Sequence, residues 1–252
     1  MLLRRITQHV KDQNWFAVFV DFVIVVIGVF IGIQVTNWNT ERYEQSLERG
    51  YLERLANEVL ESRDHTQRVT DSWIAQAGHL NLVLDSLDDC RMAARDKDDF
   101  AEGIYNLGKF EMAYQNMSTL EEMKSTGRLG IIQNVAISDA LSELEIQINY
   151  QERVELQMIA RLGPHIEYVN QRVRIEVNSI DQASKLNENS GDGSGSFGDA
   201  ISFNLEELCK DPKVAASISS VRADMYEIMA WNLRVIDRMD AALGLISKEL
   251  EK

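Results

Sequence analysis

Trp15–Val35 reads WFAVFVDFVIVVIGVFIGIQV, a run in which only Asp21 and Gln34 are polar. At ~1.5 Å per residue such a helix covers the ~30 Å hydrocarbon core of a bilayer. Trp15 and Trp38 stand where an aromatic belt sets its rings at the two interfaces. An apolar run of this length between tryptophans is read as a transmembrane helix over 15–38 rather than as a soluble core helix. It exceeds the ~7–15-residue apolar region of a signal peptide. Thr36-Asn37-Trp38-Asn39 then offers no small-residue cleavage site. An uncleaved signal anchor is expected.

The flanks set the orientation. Residues 1–14 carry Arg4, Arg5 and Lys11 against Asp12, whereas the far flank mixes Glu41, Arg42, Glu44, Glu48 and Arg49. The positive-inside bias then predicts a cytoplasmic N-terminus and a domain on the outer side of the membrane from Asn39 onward. Removing the net +2 of the tail and the −1 of Asp21 from the total of −14 leaves the outer part at −15. In the tail, Leu2, Leu3, Ile6 and Val10 share a side. Residues 1–14 are read either as an interfacial amphipathic helix or as a polar tail.

Asp21, Gly28 and Gly32 fall on one helical stripe, at offsets of about two and three turns. Gly28 and Gly32 form a G-x-x-x-G pair, which permits close helix approach. The stripe predicts a self-association face. The alternative is that Asp21 snorkels to the headgroups and the glycines are ordinary membrane-helix residues.

Two stretches resemble a bacterial single-span membrane-protein family. The first is Asp21-Phe-Val-Ile-Val-Val-Ile-Gly-Val-Phe-Ile-Gly-Ile-Gln-Val-Thr-Asn-Trp-Asn39: an acidic residue, an apolar run with Val-Ile-Gly, then Gln-Val-x-Asn-Trp-Asn. The second is Thr119-Leu-Glu-Glu-Met-Lys-Ser-Thr-Gly-Arg-Leu-Gly-Ile-Ile-Gln-Asn134. The resemblance implies the membrane topology and implies no activity.

Outside the span the pattern is helical. Leu52, Leu55, Val59, Ser62, Thr66, Val69 and Trp73 step by three and four, and Ala77, Leu80, Leu84 and Leu87 resume the stripe. No Gly or Pro lies between Gly32 and Gly50, so one helix is expected to leave the membrane unbroken and to end near Asp88-Asp89-Cys90. A second helix is expected over Asp99–Met117. Ser118-Thr-Leu-Glu121 fits a capping box, with Ser118 accepting from the Glu121 N–H, and Gly127 closes that short helix. A long helix is expected from Asn134 through Leu141, Leu144, Ile148, Leu162, Ile166 and Val169 to Val173 and Val177, kinked or split at Gly163-Pro164. Asn187–Asp199, NENSGDGSGSFGD, sits in a flexible stretch over 187–204. Its Asp192 and Asp199 do not fall in EF-hand register.

Asp211-Pro212 marks the last helix start, with Asp as N-cap and Pro at the first turn. Val214, Ile218, Val221, Met225, Ile228, Asn232, Val235, Met239, Ala242 and Ile246 then alternate steps of four and three. Asn232 is read either as a register-setting seam residue or as a hydrated core defect. The fold expected is all-α: the transmembrane helix, then an antiparallel bundle of long heptad helices made from 39–186 and completed by 205–252. The 14 glycines and 2 prolines are about half the average usage, which excludes turn-rich sandwiches, propellers and Rossmann folds.

The net charge argues against nucleic acid as a partner. Of four histidines, His65 and His79 fall near one helical face, but no E-x-x-H pair, H-E-x-x-H, P-loop or G-x-S-x-G occurs. No metal, cofactor or catalytic residue is therefore expected. Cys90 and Cys209, both near predicted helix ends, can pair in an oxidising compartment or stand as separate thiols. The expected task is non-enzymatic: self-association and scaffolding of an envelope protein partner from the lipid bilayer. The alternative is an accessory subunit of a transporter or ion-driven complex, with Asp21 titrating in the membrane.

Overall fold

The structure, a computed structural model, describes residues 15–109, 111–188 and 197–252. The proposed interfacial helix over residues 1–14 lies outside the described residues, as do the side chains of Trp15 and Asp21. The chain divides into two compact units, Met1–Tyr51 and Leu52–Lys252. The first helix, α1, spans Trp15–Asp89.

In the first unit, one helix stretch near the N-terminus is long and apolar enough to cross a membrane. Phe22, Ile24, Val25, Phe30 and Val35 all project outward, between 57% and 64% exposed. Thr36 Oγ1 donates to the Gly32 carbonyl at 2.9 Å and Thr40 Oγ1 to the Thr36 carbonyl at 3.0 Å. The helix thus satisfies these hydroxyls itself. Residues 39–50 have no buried side chain. The second compact unit starts at Leu52.

Among the described residues, the second unit is helical apart from one two-residue strand pair. It takes residues 52–89 of α1, then α2 (Lys97–Tyr105), α3 (Ser118–Ser125), α4 (Val135–Asn170), α5 (Ile180–Glu188), α6 (Leu205–Lys210) and α7 (Pro212–Leu250). All eleven stripe residues of α1, from Leu52 to Leu87, are buried, and so are all ten seam residues of α7. Heptad spacing dictates this outcome, because residues three and four apart share a face. Side-chain ion pairs and a hydrogen bond between helices fix the directions. Arg63 meets Asp240 and Arg222 meets Asn81, so α1 and α7 run antiparallel. Glu143 meets Arg238 and Arg161 meets Asp224, so α4 and α7 do too.

The helix expected over Asp99–Met117 is shorter. α2 stops at Tyr105, and Gly108 turns the chain at φ +94°, where a Cβ would stand 2.8 Å from Ile166 Cγ2. Residues 111–116 then run back down α1 as a strap. Trp73 Nε1 donates to the Glu111 carbonyl at 3.0 Å, and the Tyr114 and Asn116 N–H groups donate to His65 Nδ1 and Ser62 Oγ. Side chains of α1 occupy backbone groups that a helix would have paired internally.

The capping box at Ser118 is replaced by a cap from another helix. Glu58 of α1 accepts from Ser118 Oγ, the Thr119 N–H and Thr119 Oγ1, at 2.7, 2.9 and 2.6 Å. The carboxylate meets the positive end of α3, where a negative charge is most favourable. At the other end Gly127 takes φ +69°, and Arg128 N–H returns to the Met123 carbonyl. That is a Schellman closure.

α4 is continuous through Gly163-Pro164. A proline inside a helix costs ~3 kcal/mol. Leu162 and Val169, fully buried on either side, outweigh it. The helix ends at Asn170, short of Val177, because Arg174–Ile175 pairs antiparallel with Ile201–Ser202. The described parts of the stretch read as flexible over 187–204 are instead built into the fold. Asn187 and Glu188 close α5, and Phe197, Ala200 and Ile201 are buried in the core. Residues 189–196 lie outside the described residues. Phe203 stacks on Phe100 with centroids 4.7 Å apart.

α7 starts as its sequence predicts. Asp211 accepts from the Lys213 N–H, with Pro212 at the first position. The same carboxylate accepts from Tyr168 Oη and Arg172 Nε, at 2.7 and 2.6 Å. The tyrosine hydroxyl, then the guanidinium, hold it below the ordinary carboxylate range.

Candidate functional site

The expected association face is described at its glycines. A Cβ at Gly28 or Gly32 would meet nothing within 4 Å, so that side of α1 is open to a neighbour. Of the belt residues, Trp38 is exposed, with the Arg42 guanidinium 4.3 Å from its ring centroid.

Cys90 and Cys209 are joined as a disulfide, with Cα atoms 5.7 Å apart. Cys90 follows the last residue of α1 at φ +49°, and Arg91 N–H returns to the Ser86 carbonyl at 3.1 Å. The cysteine thus fills the left-handed position that closes a helix and usually falls to glycine.

One cluster was not legible from spacing. α2 crosses α1 at Gly103, where a Cβ would stand 3.0 Å from Val83 Cγ2 and 3.2 Å from His79 Cβ. Gln76 Nε2 donates to the Gly103 carbonyl at 3.0 Å and pins the crossing. Asp99 and Glu102, three apart on α2, share a face and meet His79 of α1. One ligand atom from each of the three lies within 4.8 Å of the others. Glu102 is 2% exposed, and its Oε1 is 3.7 Å from His79 Nδ1. His79 was singled out in the sequence, but only against His65 on its own helix. Nothing in a one-dimensional pattern pairs it with residues twenty positions on, across a turn.

A buried polar layer crosses the bundle. Gln151 Nε2 of α4 donates to Glu155 Oε1 at 2.8 Å and also to Asn232 Oδ1 of α7. All three residues are at most 4% exposed. Asn232 thereby ties α7 to α4 at one register, because slipping the pair would strand two buried amides. Burial pushes the Glu155 carboxyl above its ordinary value. The Gln151 hydrogen bond opposes the shift and the nearby Glu152 charge adds to it.

The shift makes stability depend on pH. The folded state holds the Glu155 proton more tightly than the unfolded state does. Stability is therefore lost as pH rises from the unfolded value, near 4.5, through the raised folded one. Glu155→Gln should remove that loss. Thermal melts from pH 4 to 8 are expected to show the variant more stable than wild type at pH 8 and level with it near pH 4. Identical pH slopes for the two proteins would show that Glu155 is not a buried acid.

No family model, curated protein or solved structure matches this chain.

Proposed function

We propose that the chain is a single-span inner-membrane protein that anchors an acidic helical domain in the periplasm. The domain self-associates and scaffolds an envelope partner without catalysing a reaction. The observation that carries this reading is the exposed apolar stretch of α1 over Phe22–Val35, which no other described part of the chain covers. Burying it in lipid removes a large apolar surface from water. The Cys90–Cys209 disulfide supports an oxidising compartment for the outer domain. The open glycine face supports self-association, since no described residue lies within 4 Å of a Cβ placed at Gly28 or Gly32.

Two measurements test the reading. A reporter active only in the periplasm, fused after Lys252, should be active; activity of a cytoplasm-only reporter there would reverse the orientation. Crosslinking in membranes should give less oligomer for Gly32→Leu than for wild type or Ile31→Leu. Equal yields in all three would remove the association face.

A further inference from the structure

We propose that His79, Asp99 and Glu102 form a binding site for one divalent transition-metal cation, of which zinc is the natural probe. The chemistry of the donors points to it. An imidazole nitrogen and two carboxylates are the donor set that such cations take, and three protein ligands leave a position for water. Two carboxylates also balance a 2+ charge. The geometry points the same way. His79 Nδ1 is buried and has no hydrogen-bond partner among the described residues. It stands 3.7 Å from Glu102 Oε1, which is too long for a hydrogen bond. Two ligands held at ~2.0–2.2 Å around one tetrahedral cation stand about 3.4 Å apart. The pair is therefore spaced as co-ligands rather than as donor and acceptor. Asp99, half-buried, supplies the third ligand from the outer side and leaves the cation a way in.

The site also has a structural logic. It joins α1 to α2 at the crossing where Gly103 brings the two backbones together. A cation there ties α2, which leads towards the strap over 111–116, to the long helix.

The experiment is equilibrium dialysis of the full chain, detergent-solubilised and without a histidine tag, against zinc chloride, with bound metal counted per chain. Wild type is expected to hold one zinc. Asp99→Asn, on the half-exposed side, and His79→Ala should each weaken binding at least about tenfold. His65→Ala is the control. That histidine accepts from the Tyr114 N–H and stands 3.8 Å from the exposed Glu111, outside the cluster, so its loss should leave zinc binding unchanged. Circular dichroism of each variant reports whether it is folded, and Asp99→Asn decides the matter if His79→Ala is not. Less than one zinc per wild-type chain would overturn the site. So would unchanged affinity in Asp99→Asn, or an equal loss in His65→Ala.

Discussion

A chain ending before Pro212 is expected to lose cooperative unfolding of its outer domain. α7 contributes ten consecutive seam positions, all at most 2% exposed. Eight are large and apolar: Val214, Ile218, Val221, Met225, Ile228, Val235, Met239 and Ile246. At ~1.5–3 kcal/mol for each, their burial outweighs the ~5–15 kcal/mol by which a domain is normally stable. The loss is also polar. Gln151 would keep its bond to Glu155 but lose Asn232, and Arg161 and Glu143 would lose their partners on α7. What remains of α1 and α4 would offer apolar stripes to water. The measurement is a thermal melt by circular dichroism. The intact protein should give one sharp transition and the truncated one a broad, featureless decline. A truncated chain melting as sharply as the whole would make α7 an independent arm.

The three long helices were legible because heptad spacing carries its own register. Every α7 seam residue read from the sequence is buried, including Asn232. The Asp211-Pro212 start was equally plain, because an N-cap and a first-turn proline act within three residues. The failures share one cause: a distant partner overrode a local preference. Ser118 had the sequence of a self-contained cap, but Glu58, sixty residues away, supplies the acceptor instead. Residues 111–116 fell in a stretch read as helical, but Trp73, His65 and Ser62 of α1 take backbone groups of Glu111, Tyr114 and Asn116. Gly163-Pro164 was read as kinking or splitting α4, but buried neighbours on both sides carry the helix through without a break. The cluster at His79 belongs with these. Its three ligands come from two helices whose crossing is set by Gly103, and only the fold brings them together.

Reducing the Cys90–Cys209 bond is expected to lower the melting temperature markedly without unfolding the protein at room temperature. The bond spans 119 residues and closes α2 through α5 into one loop. In the chain-entropy account such a crosslink contributes up to ~5 kcal/mol by restricting the unfolded chain, with ~2–4 kcal/mol typical. For an outer domain of this size that corresponds to a fall of about 5–15 °C. The two cysteines are not equivalent, and this gives the prediction a second arm. Cys90 pays a left-handed backbone penalty at φ +49° that glycine avoids, of the order of 1 kcal/mol. With the bond absent from both proteins, Cys90→Gly/Cys209→Ser should therefore melt about 2–4 °C above Cys90→Ser/Cys209→Ser. Thiol alkylation before and after reductant shows whether the bond was present and broken. An unchanged melt after verified reduction would leave the crosslink without a stabilising role. Equal melts for the two double variants would mean that the closing turn of α1 relaxes once it is no longer tied to α6.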